Sequence, residues 1–436
     1  MKIIKIFFPL LIISWVAICL KAKAQIVPKK CPYVMLQGFY WDSFNETSWN
    51  QLNAMAEEIG RHFDLIWLPP SGQGAYFKGV GNTMDMGYHP RYWSNQTSAW
   101  GYEYELKALI ARLKANGCKP LADIVINHRF GMAEDTGVTA NNNFCEFAPD
   151  NFGQYGSFQL TPAHMCPDSS KYGPGSPCKA TGNPDTGKSW SGCPDLDHTN
   201  PYVQDDIKAY LKWLRAEYGY SGFRYDYVMG FGGQYLGDYN TASAPEFSVG
   251  EYWTELADES ENWLKSTDFR SSVFDFPGKL QTLNHGLAAG NYNEMAFDDS
   301  QCKRPTELMK RGYSRYLVTF VDNHDTYREE TRFTGDIPQA YAFILSAPGV
   351  PCVFWPHWIE YKEVINQMIA ARKLVGIHSE SDARVTNTSG YYECTTTGDC
   401  GTLICRIGDL PAAPEGYETA CSGNGWAFYV KRIACN

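Results

Sequence analysis

Residues 106–128 read Leu106-Lys107-Ala108-Leu109-Ile110-Ala111-Arg112-Leu113-Lys114-Ala115-Asn116-Gly117-Cys118-Lys119-Pro120-Leu121-Ala122-Asp123-Ile124-Val125-Ile126-Asn127-His128, and the pattern in them recurs along the chain. Leu106, Leu109, Ile110 and Leu113 repeat at helical spacing and stop at Gly117. Residues 121–126 then form a short apolar run suited to a buried strand, closing on polar Asn127 and His128. Upstream, Trp49, Leu52, Met55, Ala56 and Ile59 make a helical stripe that is expected to stop at Gly60. The strand 65–68 follows and ends at Pro69-Pro70. Downstream, a helix opens at Asn200-Pro201, carries Val203, Ile207, Tyr210, Leu211 and Leu214 on one face, and closes at Gly219 before the strand 222–228. Further buried runs are 34–39, 247–250, 273–276, 318–321 and 350–354, which brings the strands to eight. Eight strands alternating with helical patterns predict a closed parallel (β/α)8 barrel, the TIM-barrel class of α/β fold. An open doubly wound sheet would want a glycine-rich phosphate loop after its first strand, and Gln37-Gly38-Phe39-Tyr40-Trp41 is not one.

Two stretches interrupt the alternation. Residues 129–195 are rich in Gly, Pro, Asn, Ser and Cys and too long for a simple connection, so an inserted loop-rich subdomain is expected after strand three. From 381 onward, short β-prone runs alternate with turn residues, as in a small C-terminal antiparallel β domain. The expected division is therefore 25–128 and 196–380 for the two parts of the barrel, 129–195 for the insert and 381–436 for the β domain. Residues 1–24 have a basic start, an apolar run over 6–20 and Ala22-Lys23-Ala24, the layout of a secretory signal peptide with Gln25 as the mature N-terminus. The apolar run is short for a membrane anchor, so no membrane association is expected after cleavage. An extracellular or periplasmic monomer follows.

The rest of the composition agrees with export. The chain of 436 residues carries 38 Lys and Arg against 48 Asp and Glu, a formal charge of −10 that becomes −14 once the four lysines of 1–24 are lost. That balance excludes a nucleic-acid partner held by bulk electrostatics. Fourteen cysteines fit an oxidising compartment. Cys118 and Cys352 lie in buried runs and read as inert core thiols. Cys145, Cys166, Cys178 and Cys193 form one cluster, and Cys394, Cys400, Cys405, Cys421 and Cys435 another; bridges are expected within each, with the connectivity open.

In a barrel of this class the chemistry sits at the C-terminal ends of the strands. Four ends carry acids or imidazoles: Asp123 to His128, Arg224-Tyr225-Asp226, Gly250-Glu251-Tyr252-Trp253 and Asp322-Asn323-His324-Asp325. A charge inside an apolar strand is costly unless paired. Alternation puts Arg224 and Asp226 on one face, where the cation favours an ionised Asp226. Glu251, flanked by Tyr252 and Trp253, is suited to staying protonated. These are the two carboxyl roles that retaining glycosidases require.

These four regions, with Cys193-Pro194-Asp195-Leu196-Asp197-His198, resemble the signature regions of the α-amylase family of glycoside hydrolases. Leu36-Gln37-Gly38-Phe39, Gly182-Asn183-Pro184-Asp185-Thr186-Gly187 and Gly376-Ile377-His378-Ser379 are most similar to its plant-type secreted members. The likeness runs from about 31 to about 381 and is weak over the C-terminal domain. The resemblance implies retaining endo-hydrolysis of α-1,4 bonds in α-glucans such as starch and glycogen. In it Asp226 is the nucleophile, Glu251 the acid/base and Asp325 the transition-state stabiliser. It also implies that His128 and His324 bond sugar hydroxyls, that Arg224 supports the substrate site and that Tyr88 stacks on the sugar. One structural calcium would be held by Asn127, Asp185, Asp195 and the backbone oxygen of Gly230, hard oxygen ligands that suit that ion. The alternatives are a transglycosylase or α-1,6-acting relative, which shares the catalytic set, and a non-catalytic glucan-binding protein. Three departures stand out. Met229 replaces a plant-type lysine that touches sugar on the leaving-group side, His89 replaces an apolar residue, and Ser189 replaces an acid of the extra calcium sites.

Overall fold

The structure is a computed structural model that describes residues 26–131, 147–168 and 179–435. The expected signal peptide, Cys145 and Cys178 lie outside the described residues. Strands β1 (Met35–Gln37), β2 (Leu65–Trp67), β3 (Lys119–Ile124), β4 (Gly222–Tyr225), β5 (Phe247–Gly250), β6 (Ser272–Phe274), β7 (Leu317–Phe320) and β8 (Val350–Phe354) close into one barrel of parallel strands. Each pairs with the next in sequence, and β8 returns to β1 through Leu36 opposite Val353. Their residues are almost all buried, because helices cover the outer face and side chains fill the inner one; near-continuous apolar runs follow from that.

The helices that cover the barrel are α1 (Trp49–His62), α2 (Glu103–Ala115), α3 (Pro201–Trp213), α4 (Gly233–Ser243), α5 (Ala257–Ser266), α6 (Ile337–Ser346) and α7 (Lys362–Leu374), with a π-helical segment Gly278–Leu287 after β6. Local chemistry starts them where expected. The Ser48 side chain accepts from the Gln51 N–H, and Asn200 accepts from Tyr202 with Pro201 in the first turn. Gly60 does not end α1, which runs on to His62. A Cβ at Gly60 would lie 2.3 Å from the backbone oxygen of Asn116, so this glycine serves the close approach of α1 to the end of α2. Gly117 and Gly219 do take left-handed φ values, 82° and 83°, and turn the chain at helix ends.

Several strands stop short of their apolar runs. The fourth run ends at Tyr225 because Tyr227 has φ 45°, which breaks the extended backbone just after Asp226. Within the insert, Asp150–Asn151 pairs with Ser157–Phe158, and the Arg129 guanidinium, which lies over the Trp93 ring, forms a buried ion pair with Asp150.

The C-terminal sheet holds β9 (Asp382–Asn387), β10 (Tyr391–Gly398), β11 (Gly401–Gly408), β12 (Glu418–Gly423) and β13 (Trp426–Arg432). All its pairings are antiparallel, and it packs on α6 and α7. It also draws in two short strands from the β6–β7 connection, Phe297–Asp298 and Lys303–Arg304, the second pairing with β9 through Lys303 and Val385. Cys400 and Cys435 form a disulfide in this region. Cys118 and Cys352 are buried thiols pushed up by desolvation. No described helix is long and apolar enough to cross a membrane.

Candidate active site

Arg224 is the centre of the site. Its side chain is fully buried within the barrel, and its guanidinium carbon lies 4.6 Å from the Trp67 ring centre. Nη1 donates to Asp123 Oδ1 at 2.8 Å and to Asp226 Oδ1 at 2.9 Å, and Nη2 pairs with Glu251 Oε1 at 2.5 Å. Three neighbouring strands, β3, β4 and β5, thus bring one acid each to a single cation. The remaining oxygens are also held. Asp123 Oδ2 accepts from Trp67 Nε1 at 3.0 Å and from the Tyr88 hydroxyl at 2.9 Å, and Glu251 Oε2 accepts from the Tyr227 N–H at 3.2 Å.

Burial outweighs that cation. Desolvation pushes Asp226 up to about 7, with Arg224 pulling it down and Asp123 and Asp325 adding to the rise. Glu251 is also raised well above its usual range, by burial first, against the pull of Arg224 and with Asp226 and Asp325 adding to the rise. The sequence expectation that Arg224 favours an ionised Asp226 is corrected here, because desolvation by burial outweighs the pull of the guanidinium. Both acids are therefore held in their protonated forms well above the usual carboxylate range.

Asp325 follows β7 and is 28% exposed, one Oδ2 lying 3.4 Å from His324 Nε2. The other nitrogen of His324 contacts Gln37 Nε2 at 3.1 Å, and burial lowers this imidazole well below its usual range, so the ring is neutral. Tyr88 stacks on His324 at 5.2 Å and 16°. His128 is turned differently. Its ring stacks on Trp190 at 4.0 Å between centroids, Nε2 contacts the Tyr88 carbonyl at 2.9 Å, and Nδ1 contacts Asn127 at 3.3 Å. Both nitrogens are committed to the protein, so His128 forms the wall toward the insert, and the expected bond to a sugar hydroxyl has no free nitrogen here. Trp41, Asp123, Trp190 and Arg328 complete the surroundings, and the sequence reading gave none of them a role. Trp41 lies in the loop that follows β1, four residues past Gln37, and that placement is the signal that could have found it.

The residues expected to hold calcium lie beside this wall. Asn127 Nδ2 donates to Asp195 Oδ1 at 2.9 Å, while Asn127 Oδ1 is buried with no partner. A Cβ on Gly230 would come within 2.0 Å of that oxygen, so only glycine lets this backbone so near. Asp195 is pushed up to about 8 by burial and by the negative charge of Asp185. Asp168 accepts the Asp185 N–H at 3.0 Å, and the Ser189 hydroxyl reaches Asp185 at 3.5 Å. Among the described residues no three His, Cys, Asp or Glu side chains gather at metal-holding distances. The donor set here is two carboxylates, an amide oxygen and a backbone oxygen. An orphaned buried acceptor and two acids raised by burial suit a hard cation.

Met229, where the lysine was expected, accepts the backbone N–H of Lys188 from the insert at 2.9 Å. The two residues line a hollow of about 400 Å³ with Gln234, Tyr252, Glu259 and Asn262.

No family model matches the chain. A probable alpha-amylase 2 of Arabidopsis thaliana is 30% identical over 423 residues, covering 91% of this chain and 94% of that protein. The chain belongs to the α-amylase family. Its chloroplastic alpha-amylase 3 relative from the same plant is 29% identical over 91% of this chain, which spans 43% of that longer protein. The crystal structure of an alpha-amylase from Geobacillus thermoleovorans, complexed with acarbose, superposes with a TM-score of 0.64 at 14% identity, over 92% of this chain and 99% of that one. As a member of the α-amylase family, the protein is a glycoside hydrolase acting on α-glucans.

Proposed function

We propose that the protein is a secreted monomeric α-amylase that cuts internal α-1,4 bonds of starch, glycogen and related glucans with retention of configuration. The observation that carries this reading is the pair Asp226 and Glu251, two buried acids on opposite nitrogens of one guanidinium. A retaining mechanism needs its two carboxyls about 5–5.5 Å apart, and a shared guanidinium keeps such a pair close. Asp226 attacks the anomeric carbon, and its bond to that carbon replaces the glycosidic bond. Glu251 gives its proton to the departing oxygen, and as a carboxylate it then takes a proton from the water that releases Asp226. Asp325 faces the positive charge that develops on the ring.

Product analysis on starch tests this reading. Reducing ends with rapid loss of iodine staining and initial α-anomers are expected; cyclic or disproportionated products would move the protein to the transglycosylases instead.

The protonation states that the two roles require set the pH dependence. Activity needs Asp226 ionised and Glu251 protonated, so kcat/KM rises with pH as Asp226 deprotonates and falls as Glu251 does. The acid limb is expected well above an ordinary aspartate's value of about 3.9, displaced toward 7. A pH–rate profile whose acid limb lies at the ordinary value would contradict the assignment.

Asn127, Asp185, Asp195 and the Gly230 carbonyl would hold one structural calcium ion. When bound, it supplies fixed positive charge that ties the insert to the barrel beside the cleft. Exhaustive chelation is expected to lower the melting temperature and the activity together, with calcium restoring both. An unchanged melting curve removes the site.

A further inference from the structure

Trp41 follows β1, and β1 stands four strands round the barrel from β5, which carries Glu251. In the mechanism above Glu251 protonates the departing sugar, so the wall opposite it faces the sugars that stay bound. Three near-parallel rings make that wall. Trp41 lies at 10° to Tyr88 and 9° to His324, with centroids 6.0 Å apart in both pairs. Half-buried Trp41 is therefore placed as the next stacking surface along the glucan. Its ring is already covered: the Arg328 guanidinium carbon lies 4.0 Å from the ring centre. Arg328 ends the single helical turn Thr326–Arg328, and its N–H bonds the Asp325 carbonyl at 2.9 Å. The side chain is exposed, and among the described residues no carboxylate forms an ion pair with it; Asp325 and Glu329 feel its charge at longer range, and the ring is the surface it lies on.

We propose that Arg328 determines specificity at this end of the cleft, by occupying the face of Trp41 on which a further glucose ring would stack. The proposal rests on the hydrolase reading above. A longer chain must displace the guanidinium, and a cation–π contact at an exposed ring is worth about two- to five-fold in affinity.

The test compares Arg328→Ala with the wild type on maltotriose, maltoheptaose and amylose. Relative to maltotriose, which reads any effect of the lost charge on Asp325, Arg328→Ala is expected to lower KM for maltoheptaose about two- to five-fold and to shift amylose products to longer oligosaccharides. The effect should vanish in a Trp41→Ala background, since the two residues act through one contact. Unchanged products, a raised KM for maltoheptaose, or the same gain without Trp41 would each overturn the proposal. Maltoheptaose affinity measured with and without Arg328 in a Glu251→Gln background repeats the comparison without turnover, so a failure of the hydrolase reading and a failure of this proposal remain distinct.

Discussion

Glu251→Gln is expected to lower kcat on starch by about 10²–10⁴-fold, the range that a positioned general acid supplies. The substitution keeps the shape of the side chain and removes the proton that the departing oxygen needs. It also has a structural cost. Glu251 offers one oxygen to Arg224 and the other to the Tyr227 N–H, whereas glutamine has a single acceptor oxygen. One donor loses its partner, which costs about 1–3 kcal/mol of stability. The two effects separate by experiment, since denaturant unfolding reads the second and single-turnover kinetics the first. Turnover within ten-fold of wild type in a folded variant would mean that another group donates the proton.

Arg224→Met removes the cation that three buried acids share, and is expected to destabilise the fold by about 3–5 kcal/mol, the usual cost of leaving buried charge without its partner. The loss should depend on pH. Without Arg224 the native pKa values of Asp226 and Glu251, already raised by burial, rise still further above those of the unfolded chain, so the native state binds more protons. Stability then falls as pH rises from the unfolded value toward the folded one. The deficit relative to wild type is therefore expected to be small near pH 4 and large near pH 8. Urea unfolding at the two pH values measures it; an equal deficit at both would mean that Arg224 stabilises by packing against Trp67 and not by charge.

The barrel was legible because each helix stripe and each buried run is long enough to show its own period, and because eight repeats leave one closed topology. The catalytic acids were legible for a related reason: charge inside an apolar strand is rare enough to mark itself. Other features left no such trace. Trp190 is an aromatic in the loop-rich insert, and nothing in its neighbours says that its ring stacks on His128. Asp123 was visible as a strand acid, but that it takes a share of Arg224 depends on the register of Asp123 against Arg224 across two strands. His128 sits in the expected motif, yet which way its ring turns is decided by Trp190, sixty-two positions away. Gly60 looked like a stop because a glycine at a helix end and one at a helix crossing read alike. Phe297–Asp298 and Lys303–Arg304 are two residues each, too short for any alternation to register.

Those two short strands make the barrel and the terminal sheet hard to part. Because Lys303 ladders onto Val385, shortening the chain to residue 381 would strip the hairpin of its neighbour and bare hydrogen-bonding backbone on the barrel's flank. An open rim of that kind invites a second molecule to pair there. A trimmed catalytic core would thus tend to cluster in solution even with every acid of its cleft in place.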